Sequence, residues 1–366
     1  MSRNRSLVAV ATLSCVIGFG PVPATAQQNL PAKFAEDPVA KALGAETFNA
    51  ALKEGKVNWY GADVSEDFLK SGARENFEKR FGIKIVDTMG RLREQTDRLR
   101  TEGSVNRRVA DIFDGNDQYM LELHGLGFLE KWRPPAPELN RISKEVFVTE
   151  PAGFWWPLHV SAQAMFINTN MVKPADEPKS FKDMLDPKWK GKVGIRDPRS
   201  SSGGGWQFLQ IYNHPDLGLD YIRKLKEVIN PFIVSGGSEQ MRDAIATGRF
   251  AVGFNGRGEF IRDLPNGTPV KYLVPQEGLA WTPHSIAIVK GGPNPNAAKV
   301  VLTWIYEIEQ LQQWSSRGRP VPHPDIIMEV PEMRLTVYPL MQQIPSDQLA
   351  APNFFFKEME KVFGVR

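Results

Sequence analysis

The chain has 366 residues, 42% of them hydrophobic, with 45 Lys and Arg against 42 Asp and Glu. That length carries two domains with ordinary cores, and the near balance of charge argues against nucleic acid or an anionic membrane as the main partner. The single cysteine is Cys15, so neither disulfides nor a thiol nucleophile can serve the rest of the chain.

Residues 1–26 read as a secretory signal peptide. Arg3 and Arg5 form a basic start, Ser6 to Gly20 is apolar but short for a bilayer span, and Ala24-Thr25-Ala26 is a small-residue cleavage site. Cleavage removes both arginines and leaves 43 basic against 42 acidic side chains, a net charge of +1. No later run is apolar enough for a membrane helix, so the expected product is a soluble, monomeric protein of the periplasm.

Strands then alternate with helices. Val57 to Tyr60 reads as a strand, Phe68 to Phe81 as one amphipathic helix stopped by Gly82, and Ile83 to Val86 as a second strand. Thr88 to Arg91 reads as a turn before a charged helix, Leu92 to Glu102. Val109 to Phe113 is a third strand, followed by a helix, Tyr119 to Gly125. This alternation predicts an open, mainly parallel sheet covered on both faces, with ligands at the carboxyl ends of the strands.

Trp155-Trp156-Pro157 introduces a long extended run, Leu158 to Asn168, which reads as a crossover to a second α/β unit. That unit holds strands at Val193 to Ile195, Phe232 to Val234 and Ala251 to Phe254. Its helices are expected at Phe181 to Leu185, Phe208 to Tyr212, Tyr221 to Val228 and from Ser238 through Ile245. A return strand is expected at Ser285 to Val289, then one helix from Pro293 to Trp314. The expected fold is α/β and two-lobed. Residues 27–157 and 285–366 make the N-terminal lobe, residues 158–284 the C-terminal lobe, and two crossover strands form a hinge beside the ligand.

The richest stretch is Lys192 to Trp206, K-V-G-I-R-D-P-R-S-S-S-G-G-G-W. A strand enters a Ser/Gly turn and a helix starts there. Free N–H groups, the positive end of the helix dipole and serine hydroxyls suit an anion, with Arg196 and Arg199 on the flanks. A solvated, serine-capped loop satisfies the same residues.

The ordered blocks V-N-W-Y-G-A, V-A-D-I-F-D-G, A-M-F-I-N-T-N-M-V, S-F-K-D-M-L-D-P-K-W-K-G-K-V-G-I and A-I-A-T-G-R-F-A-V-G-F-N carry a resemblance across most of the chain. It resembles the family-1 extracellular solute-binding proteins of ABC importers, the group that includes the ferric-ion binders. The resemblance implies a type II periplasmic-binding-protein fold, hinge closure on a small ligand and delivery to an inner-membrane permease. Iron-binding relatives carry two adjacent tyrosines just after the strand matching Ala251 to Phe254. This chain has Asn255-Gly256-Arg257 there, so the resemblance points away from phenolate ligation of iron and toward an anionic ligand.

Candidate ligand contacts follow. Ser200, Ser201, Ser202 and Gly203 offer hydroxyl and N–H donors to a carboxylate, phosphate ester or phosphonate, and Ser235, Gly236 and Gly237 repeat that logic at a second helix start. Arg257, with Asn255 beside it, and Arg91 can pair with an oxyanion. Asp63, Asp114 and Asn116 sit at strand ends, where they accept from ligand hydroxyls or act as turn caps. Trp156 can wall the cleft, and Glu277 approaches it before the return crossover. The five histidines show no metal-ligand spacing, so neither a metal nor another cofactor is expected. No nucleophile elbow or nucleotide-binding fingerprint supports the rival reading, a secreted hydrolase or lyase. Two other readings stay open: a metal held with an anion, and a receptor that reports to a sensor kinase.

Overall fold

A computed structural model describes residues 29–143, 152–200, 203–234, 236–257, 264–328, 335 and 339–365. The expected signal peptide therefore lies outside the described residues. Among the described residues nine strands form one continuous sheet: β1 (Lys56–Ala62), β2 (Lys84–Gly90), β3 (Ile112–Asn116), β4 (Trp156–Asn168), β5 (Val193–Arg196), β6 (Phe232–Val234), β7 (Val252–Arg257), β8 (Val270–Leu273) and β9 (Ala280–Ile288). Their order is β2-β1-β3-β9-β4-β7-β5-β6, with β8 on β4.

The outer strands of each half pair in parallel, β1 with β2 and β3, and β5 with β6 and β7. Between them β4 and β9 pair antiparallel over seven positions, from Trp156↔Ile286 to Gln163↔Ala280. These are the two crossovers. Their opposite direction is the departure from the mainly parallel expectation, because a chain that leaves a lobe and returns must run both ways. The sheet is therefore mixed, parallel toward its two edges and antiparallel at its centre.

The first half packs α1 (Pro38–Leu43), α2 (Ala45–Glu54), α3 (Asp63–Phe68), α4 (Arg74–Phe81), α5 (Leu92–Ser104) and α6 (Asp117–Gly125) on its strands. The expected single helix 68–81 is broken. Gly72 takes φ 99°, a left-handed conformation that a glycine adopts without the Cβ penalty, and the chain kinks between α3 and α4. The kink sets Phe68 against Trp314, ring centroids 4.2 Å apart, and Phe77 against Trp304 at 4.9 Å. The expected helix 293–314 is likewise two, α10 (Pro295–Trp304) and α11 (Ile308–Ser316).

Asp111 ties this half together. Its buried carboxylate accepts from the backbone N–H and side-chain amide of Asn58 (2.7 and 2.9 Å) and of Asn294 (2.6 and 2.9 Å). Asp111→Ala leaves those donors unpaired but also removes a costly buried charge, so the net loss is about 2 kcal/mol. A urea titration showing an unchanged midpoint would refute this.

The second half carries α7 (Gly203–Asn213), α8 (Gly218–Lys224) and α9 (Ser238–Ala246). Met241 and Ile245 of α9 share an apolar cluster with Phe166 and Phe250. On the opposite face Phe208, Phe254 and Ile222 meet the end of the chain, where α12 (Ser346–Ala350) and α13 (Asn353–Phe363) lie. Phe363 stands edge-on to Phe208 with centroids 6.0 Å apart, and Arg199 donates to the Gly364 carbonyl at 2.9 Å. The last helix thus rests on the second half, although the sequence reading placed residues 285–366 with the first. Phe355, Met359 and Phe363 give that helix its buried face.

Candidate functional site

Strand register locates the site. The carboxyl end of β3 pairs with β9 at Asn116↔His284, and His284 pairs with His159 on β4. The carboxyl end of β7 pairs with β4 at Gln163↔Arg257. His159 and Gln163 are four residues apart, about 13 Å along a strand. The strand ends of the two halves therefore confront each other over the crossovers. β7 runs extended through Arg257, where the sequence suggested a loop after Phe254.

On the first side, Asp63 opens α3, is exposed and stands at the end of β1. Arg91 is the residue before α5; its side chain is 86% exposed, with Glu94 at 3.9 Å. Asn116 caps α6, accepting from the Tyr119 N–H at 3.4 Å. These three share the rim.

Asp114 is placed differently. It lies inside β3, buried, and accepts from Trp59 Nε1 (2.6 Å), Ser65 Oγ (2.8 Å) and the Ala62 N–H (3.4 Å). Burial pushes its carboxyl up to about 7, and the three donors only partly oppose that shift. The residue holds the β1–α3 turn from within and does not reach the rim. Trp156 is also turned away. Its indole donates to the Trp132 carbonyl at 2.7 Å, and Arg133 lies 4.6 Å over its ring. Glu277 is spent on the backbone, accepting from the Phe181 N–H at 2.9 Å.

On the second side, Gly203 is the first residue of α7. Ser201, Ser202 and Ser235 lie outside the described residues, and nothing is described of the Asn255 and Arg257 side chains. Ser200 Oγ donates to the Asp197 carbonyl at 2.8 Å, folding the turn back on itself. Arg199 pairs with Asp197 at 2.9 Å, which neutralises its charge locally. Gly236 (φ 113°) and Gly237 precede α9, and the Gly237 N–H is taken by Gln240 Oε1 at 2.6 Å.

Arg196, expected as a donor flanking the Ser/Gly turn, reaches the start of α9. It is buried at the end of β5, and its guanidinium donates to the Gly236 carbonyl (3.3 Å) and to Ser238 Oγ (3.1 Å). A fixed positive charge thus stands at the N-terminus of α9, whose dipole carries the same sign.

Both sides also line one small cavity of about 20 Å³, room for a single water. Its walls are Asn116, Asp117 and Gln118 at the start of α6, Trp206 and Gln210 on α7, Trp281 to Pro283 on β9, and Gln343, Ile344 and Leu349 from the end of the chain. The aromatic wall is therefore Trp206 and Trp281, not Trp156. Four segments remote in sequence build it, and no local motif announces them. Among the described residues no group of His, Cys, Asp and Glu is arranged to hold a metal ion.

Two α/β halves, joined by an antiparallel pair of crossovers with helix N-termini at the junction, define a type II periplasmic binding protein. Residues 107–338 match the family model described as bacterial extracellular solute-binding protein, and the chain belongs to that family. An uncharacterized protein of Haemophilus influenzae is 28% identical over 253 residues, covering 66% of this chain and 65% of that protein's own length. The structure is similar to the periplasmic binding protein AfuA of Actinobacillus pleuropneumoniae, solved with fructose-6-phosphate (TM-score 0.67, 20% identity, 85% of this chain and 99% of that one). It is equally similar to a Trichodesmium FutA in complex with iron and citrate (TM-score 0.67, 19% identity, 84% and 99%).

Proposed function

We propose that this chain is the solute-capturing component of an ABC importer. It works in the periplasm as a binder, not a catalyst, and takes a small anionic solute such as a carboxylate, phosphate ester or phosphonate. The observation that carries the anionic reading is Arg196, a buried guanidinium held at the start of α9. A buried positive charge beside a helix N-terminus favours an oxyanion, since both contribute the same sign of potential. The fructose-6-phosphate and citrate of the two similar structures are anions too, which agrees with this reading.

The solute first meets one half of the open cleft. Bending of β4 and β9 near His159 and His284 brings the other half over it, and closure is favoured only by contacts made in the closed state. The closed form is what a membrane permease recognises.

The test is a thermal-shift screen of protein unfolded and refolded to strip carried-over solute. Its panel holds organic acids, phosphate esters, phosphonates, cations, and ferric iron with and without citrate. A solute at about 100 times its Kd adds roughly 2.7 kcal/mol, a rise of several degrees in Tm. A response to one anion class supports the reading. A response to cations alone, or turnover of the bound solute, overturns it.

A further inference from the structure

We propose that an apolar groove on the first half is a docking site for an extended segment of a partner protein, one that inserts an arginine side chain. The proposal is independent of which solute the cleft holds. The groove, about 340 Å³, runs between α1, residues 135–138 and the junction of α10 with α11. Pro38, Ala42, Pro135, Pro137, Tyr306 and Ile308 give it apolar walls. Its volume exceeds that of one arginine side chain, which leaves room for the residues on either side of it. Tyr306 is 1% exposed and donates its hydroxyl to the Pro157 carbonyl at 2.6 Å, so its ring is what lines the groove. Pro157 belongs to β4, so a partner seated here touches a residue tied to a crossover strand.

Donors and acceptors select the occupant. The prolines bring no N–H. Both hydroxyl groups of the lining are spent inward, Tyr306 on Pro157 and Thr303 on the Lys299 carbonyl at 2.8 Å. The other polar side chains are the carboxylates Glu138, Glu307 and Glu309, and among the described residues no Lys or Arg lines the groove. The side chains therefore accept and do not donate. A guanidinium is the converse, carrying only donors, on an apolar stem that suits proline walls. Charge points the same way. Arg80 serves both Asp37 (2.8 Å) and Glu307 (2.6 Å), and Arg141 serves both Glu138 (2.9 Å) and Asp325 (2.6 Å). One guanidinium between two carboxylates leaves a negative charge in excess each time. Glu309 is exposed and forms no ion pair among the described residues. His323 also bonds Glu138, at 2.9 Å, and adds charge only when protonated. The start of α11 offsets part of the excess, and Arg133 is turned onto the Trp156 ring.

An NMR titration of the full protein with the peptide Ac-Pro-Arg-Pro-NH2 tests this. The comparison is the same peptide with citrulline, which keeps the shape of arginine and loses its charge. The arginine peptide is expected to bind about ten times more tightly, the worth of a charge-assisted pair, and added salt to narrow that margin. Ala42→Phe crowds the groove and is expected to abolish binding of both peptides. Glu309→Gln, at an exposed position, is expected to cut the margin about threefold while Tm and the solute response hold. Should Ala42→Phe not fold, Glu309→Gln alone decides. Equal affinity for the two peptides, a margin untouched by the variants, or no binding overturns the proposal. So does free arginine amide binding as tightly as the peptide, which makes the groove a small-cation site. A dimer in sedimentation that Glu309→Gln dissociates overturns it too, because the occupant is then a second copy of this chain.

Discussion

Gly205→Ala is expected to destabilise the protein by more than ~3 kcal/mol and to abolish the thermal response to solute. A Cβ at this position would stand 1.9 Å from the Ser200 carbonyl oxygen and 2.9 Å from Phe356. The first obstacle is backbone, so no rotamer change relieves it. At Gly204 a Cβ would meet the Asp197 carbonyl oxygen at 2.8 Å. The 197–200 turn thus folds back onto the first residues of α7, and only glycines let it come so close. Pushing it off moves the helix start on which the anion reading depends. Gly125→Ala is the control, because a Cβ there meets nothing within 4 Å. Equal melting temperatures for the two variants would show that the turn yields easily, and the argument would fail.

The second large effect is one of pH. Burial raises the Asp114 carboxyl from 3.8 to about 7. A raised carboxyl favours the protonated form in the folded state. Its contribution is fully present below about pH 4 and is lost as pH rises through 7. A shift of that size is worth on the order of 4 kcal/mol between those limits. Asp114→Asn should flatten the loss, since a neutral amide can keep its oxygen on Trp59 Nε1 and donate to Ser65 Oγ. Urea midpoints at pH 5 and 8 check it: wild type falls relative to the variant at the higher pH. Parallel behaviour of the two proteins would mean that Asp114 titrates near an ordinary carboxylate.

The α/β alternation and both crossovers were legible because they rest on local periodicity. Trp59, Ile112, Phe166 and Val252 mark strands by their neighbours alone. Boundaries slipped where tertiary contacts prolong a strand. β2 runs on to Gly90 through its pairing with Ala62, and β7 runs to Arg257 through Gln163. The Ser/Gly turn announced itself by composition. Asp114 misled, because a strand-end acid looks the same in sequence whether it faces solvent or, as here, a tryptophan indole. Gln118 and the two cavity indoles were not singled out, and the reach of Arg196 to α9 was not legible, for a different reason. Each acquires its role from a segment at least forty residues away, such as Ser238 for Arg196.

The seating of α13 on α7 has a consequence for how the molecule is made. Phe355, Met359 and Phe363 supply part of the apolar layer around Phe208, and the Arg199 to Gly364 bond spans 165 residues. Contacts that distant close slowly, because the loop between them must first be ordered. A chain emerging from its N-terminus can assemble β1 to β3 early, but one wall of its second half stays open until the last residues arrive. Products stalled before residues 353–364 therefore expose an aromatic face that those residues cover, and this segment closes a layer that begins more than a hundred and fifty residues before it.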